Sequence, residues 1–180
     1  FVALHKSSYI GRLDILEGIR EGGTFLINSN WKKEEVFENL TKDMQRTIID
    51  KKVKVFNIDA LKIAGELGLG VRINSIMQAC FFKLSGVLPG DEAIALIKKA
   101  VEKTYGRKGK DVVQMNWDAV DRSAAALEEV PVPSKITKSA APVKIVPDDA
   151  DAFAKEVIDP VTRFKGDNLP VSRMPLDGAI

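Results

Sequence analysis

Three short runs of strand-type residues alternate with stretches of helical spacing, and this restricts the fold more than any other feature of the chain. The runs are residues 1–5, residues 24–28, entered by Gly22-Gly23, and residues 53–59. Between the first two, Ser7 or Ser8 is placed to cap a helix whose Ile10, Leu13, Leu16 and Ile19 follow helical spacing and which ends at Gly22-Gly23. Between the second and third, Ser29 or Asn30 precedes a helical segment over 33–40, and Thr41 with Met44, Ile48 and Ile49 supplies another short helix. Strand and helix in strict alternation predict βαβ units, hence an α/β fold in three layers with a largely parallel sheet flanked by helices.

After Asp59 the pattern is helical. It predicts helices over 60–67, stopped by Gly68-Leu69-Gly70, over 73–88, from Asp91 to 105, and over about 111–130. The segment 73–88 is apolar on nearly every face, so it needs cover from the sheet on one side and from another helix or chain on the other. Seven of the eight prolines then follow Val130. Proline removes a backbone donor and blocks helix interiors, so residues 131–180 are expected to form an extended, proline-rich arm with one short helix near 148–157. The expected division is therefore an α/β unit over 1–130 and the arm over 131–180.

Composition sets outer limits. An apolar share of 45% with 29% charged residues is ordinary globular usage, and no run approaches the ~18 apolar residues of a membrane span. A net charge of +2 argues against nucleic acid or anionic lipid as partner. One cysteine, Cys80, and one histidine, His5, cannot build a disulfide, a structural zinc site or an iron–sulfur cluster. Cys80 sits in an apolar run without a neighbouring cation and reads as a buried structural thiol in a reducing, cytoplasmic-type compartment. The start at Phe1-Val2-Ala3-Leu4, inside a strand pattern, is expected of a piece of a longer protein.

Three segments are candidates for binding. Gly68-Leu69-Gly70-Val71-Arg72-Ile73-Asn74 joins two helices and offers free helix N–H groups beside Arg72 and Asn74, a cradle for an anion or simply a pair of helix caps. Asn28-Ser29-Asn30-Trp31 and His5-Lys6-Ser7-Ser8 end strands at the carboxyl edge, where open α/β sheets place their ligands, although each also reads as cap or packing. The basic turn Lys103-Thr104-Tyr105-Gly106-Arg107-Lys108 reads as a solvated helix end. Adjacent carboxylates such as Glu34-Glu35 and Asp148-Asp149 suggest no acid/base pair.

Six stretches in register carry a resemblance: Glu21-Gly22-Gly23-Thr24-Phe25-Leu26-Ile27-Asn28-Ser29; Gly70-Val71-Arg72-Ile73-Asn74-Ser75-Ile76-Met77-Gln78-Ala79-Cys80; Ser85-Gly86-Val87-Leu88-Pro89; Glu102-Lys103-Thr104-Tyr105-Gly106-Arg107; Val130-Pro131-Val132-Pro133; and Leu169-Pro170-Val171-Ser172-Arg173-Met174 with the residues after it. The chain resembles the pyruvate:ferredoxin (flavodoxin) oxidoreductases, in the domain equivalent to the gamma subunit of multi-subunit 2-oxoacid:ferredoxin oxidoreductases. The resemblance implies oxidative decarboxylation of pyruvate to acetyl-CoA with coenzyme A, thiamine diphosphate, Mg2+ and [4Fe–4S] clusters, with electrons passed to ferredoxin or flavodoxin. It implies that thiamine diphosphate and the clusters are held by other domains of the same polypeptide. This domain would then support a homodimer and help build the coenzyme A pocket, with Arg72 and Asn74 as contact residues and no catalytic group of its own; Asn28 and Ser29, from their place at the carboxyl edge, complete the candidate binding set. The alternative is a purely structural domain of the same complex. On either reading the chain alone would be inactive, cytoplasmic, and without membrane or nucleic-acid partners.

Overall fold

Alternation along the strands decides what packs where. The computed structural model describes residues 1–174. Strands β1 (Val2–Leu4), β2 (Thr24–Asn28) and β3 (Lys54–Ile58) run parallel in that order, with Phe25 of β2 opposite Val2 on one side and Val55 on the other. Because successive side chains point to opposite faces, Phe25 and Ile27 enter one core and Leu26 enters another.

On the first face Phe25, Ile27 and Val55 pack with residues of α1 (Lys33–Val36) and α2 (Lys42–Asp50). Thr41 caps α2, its Oγ1 accepting from the Met44 N–H at 3.4 Å. On the second face Leu26 and Ile58 pack with α3 (Ala60–Glu66) and α4 (Asn74–Ser85). Helix α5 (Gly90–Tyr105) lies outside α4, and α6 (Lys110–Ala126) closes the group through Ile97, Val101, Val113 and Val120. The sheet thus has apolar layers on both faces, and the apolar α4 is covered by the sheet side and by α5 and α6, as its composition requires.

Three elements differ from the sequence reading. The helix expected between the first two strands is absent: Ser7–Tyr9 form one 3-10 turn, and turns follow. Ile10, Leu16 and Ile19 are nonetheless buried, so their spacing reported burial and not helix. Gly11 and Gly18, at φ of 79° and 74°, take the left-handed backbone that interrupts a helix. The fourth long helix stops at Ala126, and β4 (Glu128–Glu129) joins β3 antiparallel. Pro131 disfavours helical backbone at Val130, whose N–H donates instead to the Val55 carbonyl at 2.9 Å. The late helix comes further on, as a π-helical turn Ala154–Ile158 continued by α7 (Asp159–Thr162).

Beyond β4 the chain returns across the first face. Ala140 forms a parallel bridge with Thr41, and its N–H donates to the Leu40 carbonyl at 2.9 Å. Beneath it the fully buried Gln45 donates to the carbonyls of Phe37 (2.8 Å) and Lys138 (2.9 Å) and accepts from the Thr137 N–H at 3.1 Å.

Candidate functional site

The loops leaving β1, β2 and β3 meet at the carboxyl edge of the sheet, and buried side chains fix their geometry. Asn28 donates from Nδ2 to the His5 carbonyl at 2.9 Å, and its Oδ1 accepts from the Ala60 N–H at 2.9 Å. It therefore ties the end of β1 to the start of α3. Ser29 donates from Oγ to Asn57 Oδ1 at 2.7 Å, and Asn57 Nδ2 donates to the Trp31 carbonyl at 3.0 Å. Asn28, Ser29 and Asn57 are all buried, as polar groups are when their hydrogen bonds are made internally.

Above this floor lies an open cleft of about 600 Å³, walled by His5, Lys6, Ser7 and Ser8 on one side and by Asp59 and Lys62 on the other. The Asp59 carboxylate caps α3, accepting from the Lys62 N–H at 2.9 Å. A smaller hollow of about 250 Å³ continues past Lys62 to Trp31, Glu66 and Arg122. There the Arg122 guanidinium donates to Glu66 and holds its carboxyl below the usual carboxylate range. On the other side of His5 a groove of about 470 Å³ runs under Asn74, Met77, Gln78 and Phe81 of α4. The cleft and the smaller hollow share Asn30, Asp59 and Lys62 at the carboxyl edge, whereas the groove meets the cleft at His5 and runs along β1 past Ala3 to Phe1. A hollow of about 640 Å³ between the end of α2 and residues 130–134 lies instead by the amino end of β3, away from that edge, with Lys33, Lys52, Lys54, Glu129 and Ser134 among its apolar lining.

The four residues singled out in the sequence are divided by this geometry. Asn74 lines the α4 groove, whereas Asn28 and Ser29 lie in the cleft floor with polar atoms engaged internally. Arg72 lies outside both, exposed at the start of α4, with its Nε–H donating to the Leu69 carbonyl at 3.0 Å. Val71 beside it is 82% exposed. Lys62 escaped the sequence reading. Its signal was available: α3 starts directly after β3, so cations in its first turn flank the carboxyl edge.

The residues present do not fit an iron–sulfur cluster or a magnesium-bound diphosphate. A cluster needs several thiolates, and Cys80 is buried among Leu26, Ile76 and Met77, its thiol pushed up to about 12 chiefly by burial. Among the described residues no group of three or more His, Cys, Asp or Glu side chains converges on a metal-sized point. Nor is any helix among them long and apolar enough to cross a membrane.

Residues 1–126 match the family described as pyruvate ferredoxin/flavodoxin oxidoreductase. The chain belongs to this family. Residues 139–180 match a second family, EKR, described as a domain of unknown function. Among its relatives in the oxidoreductase family, the pyruvate:ferredoxin oxidoreductase of Moorella thermoacetica is 49% identical over 98% of this chain. The pyruvate-flavodoxin oxidoreductase of Rhodospirillum rubrum is 47% identical over 99% of it. The chain spans about 15% of the length of each. The pyruvate oxidoreductase subunit PORC of Thermotoga maritima shares the fold, with a TM-score of 0.54 and 20% identity over 70% of this chain and 62% of that one.

Proposed function

We propose that this chain is a non-catalytic, coenzyme-A-facing and assembly domain of a pyruvate:ferredoxin or pyruvate:flavodoxin oxidoreductase. The observation that carries the reading is the carboxyl-edge cleft, whose lining brings Lys6 and Lys62 together with hydroxyl-bearing Ser7 and Ser8. Two cations and two hydroxyls suit the phosphates of coenzyme A. Asn74, and Arg72 with its exposed guanidinium, would extend the contact along α4, while Asn28 and Ser29 would hold the cleft floor. Bound elsewhere in the enzyme, thiamine diphosphate would supply the electron sink for decarboxylation, and clusters there would pass two electrons to ferredoxin or flavodoxin. This chain's part is positioning, which lowers the barrier by holding the coenzyme near its reaction partner. Exposed Val87 and Leu96, around the start of α5, would serve packing against other domains or the second copy of a homodimer. A lone thiol without a disulfide partner suits a cytoplasmic enzyme.

The test is steady-state kinetics of the full-length enzyme. Lys62→Ala and Arg72→Ala are each expected to raise KM for coenzyme A and leave KM for pyruvate nearly unchanged. Loss of one charged contact to phosphate costs on the order of 1.5–3 kcal/mol, a factor of roughly 10 to 100. Unchanged coenzyme A kinetics in both variants would refute the contact.

A second reading, a structural domain without ligand contact, is favoured by the Arg72 Nε bond to Leu69 and by the internal bonds of Asn28 and Ser29. It predicts lower stability in these variants with no specific loss of coenzyme A affinity.

A further inference from the structure

We propose that the C-terminal segment is a clasp on the loop between β1 and β2, and that Arg163 is a positioning residue for the cleft wall at residues 5–8. The loop needs one. It runs from His5 to Gly23 with a single 3-10 turn, so few of its backbone groups are satisfied by regular structure.

Beyond its own turn bonds, the carbonyls of Gly11 and Arg12 find their partners at the other end of the chain. The Val143 N–H donates to the Gly11 carbonyl at 2.9 Å. Arg163 donates from Nη1 to the Arg12 carbonyl at 3.2 Å, from Nη2 to the Val143 carbonyl at 3.0 Å, and from Nε to Asp159 at 2.8 Å. One guanidinium thus fastens loop, returning segment and α7 together. Lys165 adds an ion pair to Glu17 at 2.7 Å. The segment is itself fixed to the first layer through Gln45 and the Leu40 carbonyl.

Gly11 is cut to this contact twice over. Its φ of 79° suits glycine, and a Cβ there would lie 3.0 Å from the Val143 nitrogen and 3.1 Å from the Ala141 oxygen. From the clasp a ladder of turn bonds leads back to the cleft. Arg12 N–H donates to Tyr9, Ile10 N–H to Ser7, and Tyr9 N–H to Lys6. Lys6 and Ser7 are cleft residues, so the clasp sets their backbone without touching the cleft. This gives the matched domain of unknown function a role: it orders the loop that walls the site. The kinetic part of the inference rests on the coenzyme A reading above; the ordering part does not.

The experiment compares the full-length enzyme with Arg163→Gln, Gly11→Ala and the milder Lys165→Gln by hydrogen exchange and by kinetics. Peptides covering residues 6–18 are expected to exchange about tenfold faster or more, the effect of losing one or two hydrogen bonds, while residues 24–28 are unchanged. KM for coenzyme A should rise several-fold, with kcat and KM for pyruvate held. If Arg163→Gln or Gly11→Ala fails to fold, Lys165→Gln reports on the same peptides. Unchanged exchange over 6–18 in every folded variant overturns the clasp. Faster exchange with unchanged KM for coenzyme A overturns the positioning role if Lys62→Ala does raise that KM. If Lys62→Ala is silent as well, the coenzyme A reading fails and the clasp stands as an ordering device.

Discussion

Cys80 shows what one side chain can report about burial. Its thiol keeps its proton in the fold up to about 12, because the thiolate would be desolvated between the sheet and α4. In the unfolded chain the same thiol releases its proton near its ordinary value of 9.0. Between those values the unfolded state binds fewer protons, so stability falls as pH rises, by at most about 1.4 kcal/mol per pH unit, and is untouched below the lower value. Denaturant melts at pH 8, 9 and 10 should therefore show a steeper alkaline loss for the native chain than for Cys80→Ala. Equal slopes would show that the thiol is not shielded. The sequence conveyed this burial, since Cys80 stands in an apolar run. It did not convey the fate of Asn28: that both its polar atoms are engaged depends on where β1 and α3 end, which a linear pattern does not carry.

Among the elements, the three helices from Asp59 to Tyr105 were legible almost to their ends, because each has apolar spacing and a glycine or proline nearby to stop it, whereas α6, without such a stop, ends four residues early at Ala126. The loop after β1 was misread for a physical reason: Ile10, Leu16 and Ile19 need burial, and an irregular loop pressed onto the sheet buries them as well as a helix does. β4 was invisible, since a two-residue edge strand has no periodicity of its own and is defined by its partner. Gln45 was likewise missed, sitting in α2 like any polar helix residue. Its amide nevertheless serves Phe37, Lys138 and Thr137 at once. Gln45→Ala should leave these buried groups unpaired and cost about 2–4 kcal/mol in chemical denaturation, far above the usual surface substitution. A loss below about 0.5 kcal/mol would show that the returning segment does not depend on this residue.

Taken whole, the described molecule is a scaffold in which residues 143–165 pack onto the loop between β1 and β2. The α/β sandwich sets a cleft at the carboxyl edge, and the C-terminal segment fastens the loop that walls it. Its one thiol is buried, and among the described residues no set of His, Cys, Asp or Glu side chains converges as a cluster would require. The chain by itself is therefore expected to give no pyruvate-dependent reduction of a viologen dye, even with thiamine diphosphate, magnesium and coenzyme A added. Reduction above the buffer rate would overturn the assignment of redox chemistry to other domains.

The amino-acid sequence by itself determined the alternation of strand and helix, the parallel sheet, the apolar α4 and the family to which the chain belongs. These follow from periodicity, from stop residues and from local motifs, each read within a short window. Only the tertiary structure decided that Lys6 and Lys62 line one cleft, that Asn28 and Ser29 belong to its floor, and that Arg163 bonds a loop some 150 positions earlier. Such contacts join residues that are neighbours only once the chain has closed on itself, and no local pattern encodes them.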